Sequence, residues 1–183
     1  GEQVGALDIG GSLKSATSGL LAAARATGED HTILLATAEQ RQFKAGSTGE
    51  LTSGDAAAAV LIGPGDGVAE IVASAQSSVD FVDHYRASDK PFDYNWEERW
   101  VRDEGFSRLV PAIAQDAIER AGLTPGDIDH FLLPAPSAAT AKMVAKHIGV
   151  GEDAIAGGLN ETVGYSGSAH GLLMLVETLE RAK

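Results

Sequence analysis

Apolar positions along the chain gather in short runs separated by polar and glycine-rich stretches, and each run carries a different period. Val4 to Ile9 is a short apolar run, after which Ser12 has the character of an N-cap for a helix continuing to about Arg25. Only Lys14 and Arg25 bring charge to that helix, so it is expected to be buried around most of its circumference. Gly28, Glu29 and Asp30 mark a turn. His31 to Ala38 then reads as a strand, apolar on both faces as in a covered sheet. The order strand, helix, strand predicts a parallel crossover. Residues 41–54 are polar and form a loop leading to a second strand, Asp55 to Ile62. The turn at residues 63–67 should lead to a further strand, Val68 to Ala75, giving one sheet four candidate strands.

The texture changes from Ser77. Residues 80–108, DFVDHYRASDKPFDYNWEERWVRDEGFSR, hold most of the aromatic side chains among dense mixed charge. Tyr94, Trp96 and Trp100 suit either the packing of an irregular connection or the anchoring of a helical insertion or partner. Leu109 to Ala121 has apolar residues at helical spacing, and Gly122 through Asp129 ends that helix in a turn. Phe131 to Leu133 reads as a strand, and Ser137 to Ile148 as a helix stopped by Gly149. The last segment repeats the first in kind, with a glycine-rich turn at residues 164–170 opening an apolar helix from about 168 to 181. That likeness suggests duplicated halves.

Composition narrows the functional classes. With 183 residues, 44% of them hydrophobic, the chain suits one domain or two tightly joined halves. Its 22 glycines and the runs Ala22 to Ala24 and Ala56 to Ala59 predict closely layered elements. A net charge of −12 argues against a nucleic-acid partner, which needs a basic stripe. No stretch reaches the roughly 18 to 20 apolar residues of a membrane span, and the expected location is the cytoplasm. The absence of cysteine excludes disulfides and cysteine-based zinc sites, and no histidine pair has the spacing of a helical metal site. No cofactor or metal is expected.

Five segments, GGSLKSATSGLLAAARA, ILLATAEQR, SGDAAAAVLIG, FLLPAPSAATAKMVAKHIGV and ETVGYSGSAHGLLMLVETLERA, occur in the order seen in the thiolase superfamily. The chain resembles hydroxymethylglutaryl-CoA synthase-like and type III ketoacyl-ACP synthase-like proteins. The similarity is strongest to the branch joined to, or encoded beside, a zinc-ribbon and OB-fold domain. The resemblance implies an α/β fold class: a thiolase-like layered αβαβα architecture, here an incomplete portion of it. Residues 1–78 would be the end of the N-terminal half, residues 79–108 an aromatic and charged insertion or connection, and residues 109–183 a truncated C-terminal half.

The resemblance also implies what the site should contain. Active members carry a cysteine where this chain has Leu13; the histidine after the later strand falls on Pro134, its asparagine on Ser137, and a further asparagine near Tyr165. Leucine cannot form a thioester and proline cannot donate to a developing oxyanion, so the covalent step and its electrostatic support are both missing. Gly164, Ser166, Gly167 and His170 are the expected substrate-binding residues. His170 reads as a packed or capping histidine, or alternatively as a displaced general base, a role also open to His84; Asp55 reads as a structural hydrogen-bonding residue. The implied activity is that of an acyltransferase, with a CoA thioester as substrate. The implied assembly is a homodimer, or a hetero-oligomer with a thiolase-like chain and a zinc-ribbon OB-fold protein, without nucleic acid or membrane. The alternatives are an enzyme that makes or breaks a C–C bond of a CoA thioester without a cysteine nucleophile, and an interaction module only.

Overall fold

The computed structural model describes residues 4–28 and 30–182. Strands β1 (Ile33–Glu39) and β2 (Ala56–Ile62) pair antiparallel, from Ile33 opposite Ile62 to Glu39 opposite Ala56. Their inner rows are half-buried. The outer row, Leu34, Ala36, Ala38, Ala57, Ala59 and Leu61, is exposed and wholly apolar. The expected strand limits therefore hold to within two residues, but the parallel crossover and the covering of both faces do not. Val4 to Ile9 and Val68 to Ala75 are corrected to irregular, largely exposed chain. An apolar run becomes a strand only where another backbone meets its N–H and C=O groups, and neither run has a ladder partner among the described residues. Glu29, assigned above to a turn, lies outside the described residues.

Helix α1 (Ser15–Ala26) starts two residues later than expected, with Lys14 and not Ser12 at the N-cap position. Ser12 builds the turn before it: its carbonyl accepts from the Ser15 N–H at 3.0 Å and from the Ser15 hydroxyl at 2.6 Å. Burial around most of the helix is also corrected, since only Ala16, Gly19 and Ala23 are buried. These form one narrow stripe at i, i+3 and i+7, facing β1 and the C-terminal helix. The polar loop contains a short helix, α2 (Thr48–Thr52), whose Glu50 N–H is accepted by the Ser47 hydroxyl at 3.3 Å.

Residues 80–109 hold a small ladder of β3 (His84–Tyr85) with β4 (Tyr94–Asn95), then α3 (Glu98–Trp100), capped by the Glu97 carboxylate. A nine-residue π-helix, Val101–Leu109, continues directly into α4 (Val110–Arg120). Phe131 makes one parallel bridge to Ile155 in place of the expected strand, its edge being met by an irregular segment. Helix α5 (Ala138–Ile148) has the expected ends: Ser137 accepts from the Thr140 N–H, and Gly149 takes a left-handed conformation at φ 91°. Helix α6 (Gly167–Arg181) packs on β1, β2 and α1.

The main core gathers Val144, Ala145, Ile148, Val150 and Ala154, with Phe106, Val110 and Ile118 against them. Ala169, Leu172 and Met174 bury the inner face of α6. No helix among the described residues is long and apolar enough to cross a membrane.

Candidate active site

A cavity of about 1010 Å³ opens between the turn before α1, strand β1, the segment 81–86 and the π-helix. Leu13 is in its wall. The first turn of α6 comes up beside it: a Cβ built on Gly167 would stand 3.1 Å from Leu13 Cδ2 and 3.0 Å from both Glu39 Cγ and Arg41 Cδ. Gly167 has φ +53°, so this position needs glycine both for its backbone and for the closeness of its neighbours. Ser168, the next residue, lines the cavity and donates its hydroxyl hydrogen to the Glu39 carboxylate at 2.8 Å.

Part of the wall is charged. Arg41 Nε donates to Asp93 Oδ2 at 3.0 Å, with both side chains more than nine-tenths buried. Arg86 stands 3.6 Å from the other carboxylate oxygen. The Arg41 guanidinium also lies 4.8 Å from the Phe43 ring centroid and 5.8 Å from that of Tyr165. Asp83 Oδ1 and His84 Nδ1 are 2.9 Å apart on the same wall. Burial pushes the Asp83 carboxyl up, but the hydrogen bond and charge of His84 outweigh it and hold the group below its ordinary value. Burial pushes the Tyr165 hydroxyl up to about 12, against a smaller downward pull from Arg41.

The later glycine-rich turn is built differently. Ser166 and His170 have no exposed surface. The Ser166 N–H and hydroxyl lie 3.3 and 3.2 Å from His170 Nδ1, and His170 Nε2 lies 2.6 Å from the Gly158 carbonyl. The carbonyl can only accept, so the ring hydrogen belongs on Nε2 and Nδ1 serves as the acceptor. Burial holds His170 below its ordinary pKa, although the bond to Gly158 acts in the opposite sense. Among the described residues, Gly164, Ser166, Gly167 and His170 are not part of the wall of the large cavity, and their turn is a packed joint beside it.

Pro134 packs toward Gly171, and Ser137 caps α5 while lining a separate cavity of about 330 Å³ with Leu133 and Asn160. Asp55 accepts from the Gln40 side chain at 3.0 Å. No three His, Cys, Asp or Glu side chains converge for a metal among the described residues. The Arg41–Asp93 pair escaped sequence reasoning because its members lie 52 residues apart, with no motif to link them.

No known family profile matches the chain. It is 28% identical over 152 residues to a hydroxymethylglutaryl-CoA synthase of Aeropyrum pernix, an overlap covering 82% of this chain and 42% of that protein. It is 27% identical over 146 residues to the hydroxymethylglutaryl-CoA synthase of Caldivirga maquilingensis, covering 79% of this chain and 42% of that one. Its fold matches 3-oxoacyl-(acyl carrier protein) synthase III from Pseudomonas aeruginosa with a TM-score of 0.77 at 17% identity, over 93% of this chain and 56% of that one. A hydroxymethylglutaryl-CoA synthase complexed with CoA matches with a TM-score of 0.72 at 20% identity, over 95% of this chain and 48% of that one. The chain has a thiolase-like fold and is similar in sequence to hydroxymethylglutaryl-CoA synthases. Its elements are a partial thiolase-like α/β fold, and this thiolase-like chain spans 42% of the length of the curated relatives it matches.

Proposed function

We propose that this chain is a non-nucleophilic subunit or domain of an acyl-CoA-processing assembly. It contributes the wall of an acyl-thioester cavity and leaves the covalent step to an active thiolase-like partner, alongside a zinc-ribbon OB-fold protein. The observation that carries this reading is Leu13, in the cavity wall at the turn before α1, in a chain without cysteine. A hydrocarbon side chain there supplies packing surface and no nucleophile. The apolar outer face of β1 and β2 fits a chain that works in an assembly. Intact-mass spectrometry of the purified complex, after incubation with a panel of short acyl-CoA thioesters, tests the reading subunit by subunit. Acylation confined to a partner chain is the expected result, and a stable acyl adduct on this chain would overturn it.

The Asp83–His84 contact favours a second reading. A carboxylate that orients an imidazole on a cavity wall is a general-base arrangement, able to form or cleave a C–C bond of a CoA thioester without covalent catalysis. His170 serves this reading less well, since both its ring nitrogens are engaged in a buried joint. If His84→Gln leaves turnover of an active preparation unchanged, the second reading is lost.

A further inference from the structure

The π-helix forms another part of the cavity wall, and its geometry is unusual. A turn closed from residue i to i+5 brings Val101, then Gly105 and Phe106, then Leu109 and Val110 to one side, and all five line the cavity. The Val110 N–H donates to the Gly105 carbonyl. Gly105 is the buried residue of this helix, and the edge of the Phe81 ring fills the space where its side chain would be. A Cβ on residue 105 would stand 2.9 Å from Phe81 Cζ and 3.1 Å from Cε1. On its face Phe81 is stacked by Trp100, with centroids 4.3 Å apart and planes within 10°. Trp100 is backed in turn by Trp96 at 6.1 Å. Phe81 is thus held by a tryptophan on its face and by a missing side chain at its edge. Phe81 also lines the cavity.

We propose that Gly105 and Phe81 together set the size of the acyl group this cavity admits: the niche over Gly105 parks the Phe81 ring against the π-helix and keeps that volume open for the substrate. Filling the niche drives the ring into the cavity, and shortening the ring enlarges the cavity. This rests on the acyl-thioester reading of the cavity and adds to it the residues that select among thioesters.

The test is calorimetric titration of the purified protein, with any subunits that accompany it, using free CoA and acyl-CoA thioesters of increasing chain length. Fluorescence of Trp96 and Trp100, the two tryptophans of the chain, is followed in parallel. Gly105→Ala should weaken binding of the longest tolerated thioester by about 10-fold or more while sparing acetyl-CoA and free CoA, the scale set by small size changes in an apolar pocket. Phe81→Leu should move the preference toward longer acyl groups, and the double variant should recover the affinity lost with Gly105→Ala. Recovery is a result that a merely structural glycine would not give. If Gly105→Ala does not fold, Phe81→Leu alone decides, because an unchanged length preference in that variant overturns the proposal. A uniform change across all chain lengths also overturns it and leaves the acyl-thioester reading standing. No binding of any thioester by the unaltered protein sinks both.

Discussion

Two segments of this chain look alike in sequence and have opposite surroundings. Residues 10–26 and 164–181 each run from a glycine- and serine-rich turn into an apolar helix. In the first, the turn is exposed around a half-buried Leu13, and helix α1 buries only three small residues. In the second, Ser166 and His170 are sealed and bonded to one another and to Gly158, and α6 buries Gly167, Ala169, His170, Leu172 and Met174. A shared pattern of glycine, hydroxyl and apolar residues therefore specifies a turn and a helix, but not which turn lines the large cavity. That is decided by what packs above it, and Ser166 and His170 are the residues that are packed here.

The contrast can be broken most forcefully beneath the sealed segment. Met174→Ala removes a side chain with 1% exposure and should cost about 2–5 kcal/mol, read from urea unfolding. A loss below about 1 kcal/mol would show that the site collapses freely and is not tightly packed. Next, His170→Ala strips the acceptor from the Ser166 N–H and hydroxyl and should cost about 1–3 kcal/mol.

The same histidine gives the comparison a pH axis. Its folded-state pKa is depressed below the ordinary 6.5, so as pH falls the unfolded chain takes up the proton first. Stability is full above about pH 6.5 and declines below it, and His170→Ala should flatten that part of the profile of melting temperature against pH. The smallest energetic effect belongs to the open turn. Leu13→Cys should change stability by less than about 1 kcal/mol. In a chain otherwise free of cysteine, that thiol should react rapidly with iodoacetamide, whereas the thiol of Ser166→Cys should be protected. Equal labelling rates would erase the distinction between the turns.

Much of the fold was legible where local chemistry decides it. Ser137 and Gly149 bracket α5 because a hydroxyl acceptor at one end and a left-handed glycine at the other satisfy groups that the helix leaves unpaired. Ile33–Glu39 and Ala56–Ile62 were legible as apolar runs of strand length. Val4 to Ile9 and Val68 to Ala75 have the same composition without a ladder, and pairing is not written in a single run of residues. Most of the π-helix falls in residues 80–108, which suit either a helical insertion or an irregular connection, because its few apolar residues stand among dense charge and sustain no clear period. In the candidate site, Leu13 was legible through resemblance, whereas Arg41 with Asp93 and Gly105 with Phe81 depend on tertiary approach.

The charged wall has a consequence in time as well as in space. Its contacts close over long stretches of chain, 52 residues from Arg41 to Asp93 and 129 from Glu39 to Ser168, while α5 and its neighbours pair elements close in sequence. Loop-closure entropy must be met before distant contacts repay it, and such contacts form late. Refolding should therefore give the helical core first and the cavity last, so that a nascent or partly unfolded chain carries native helices before the cavity has walls.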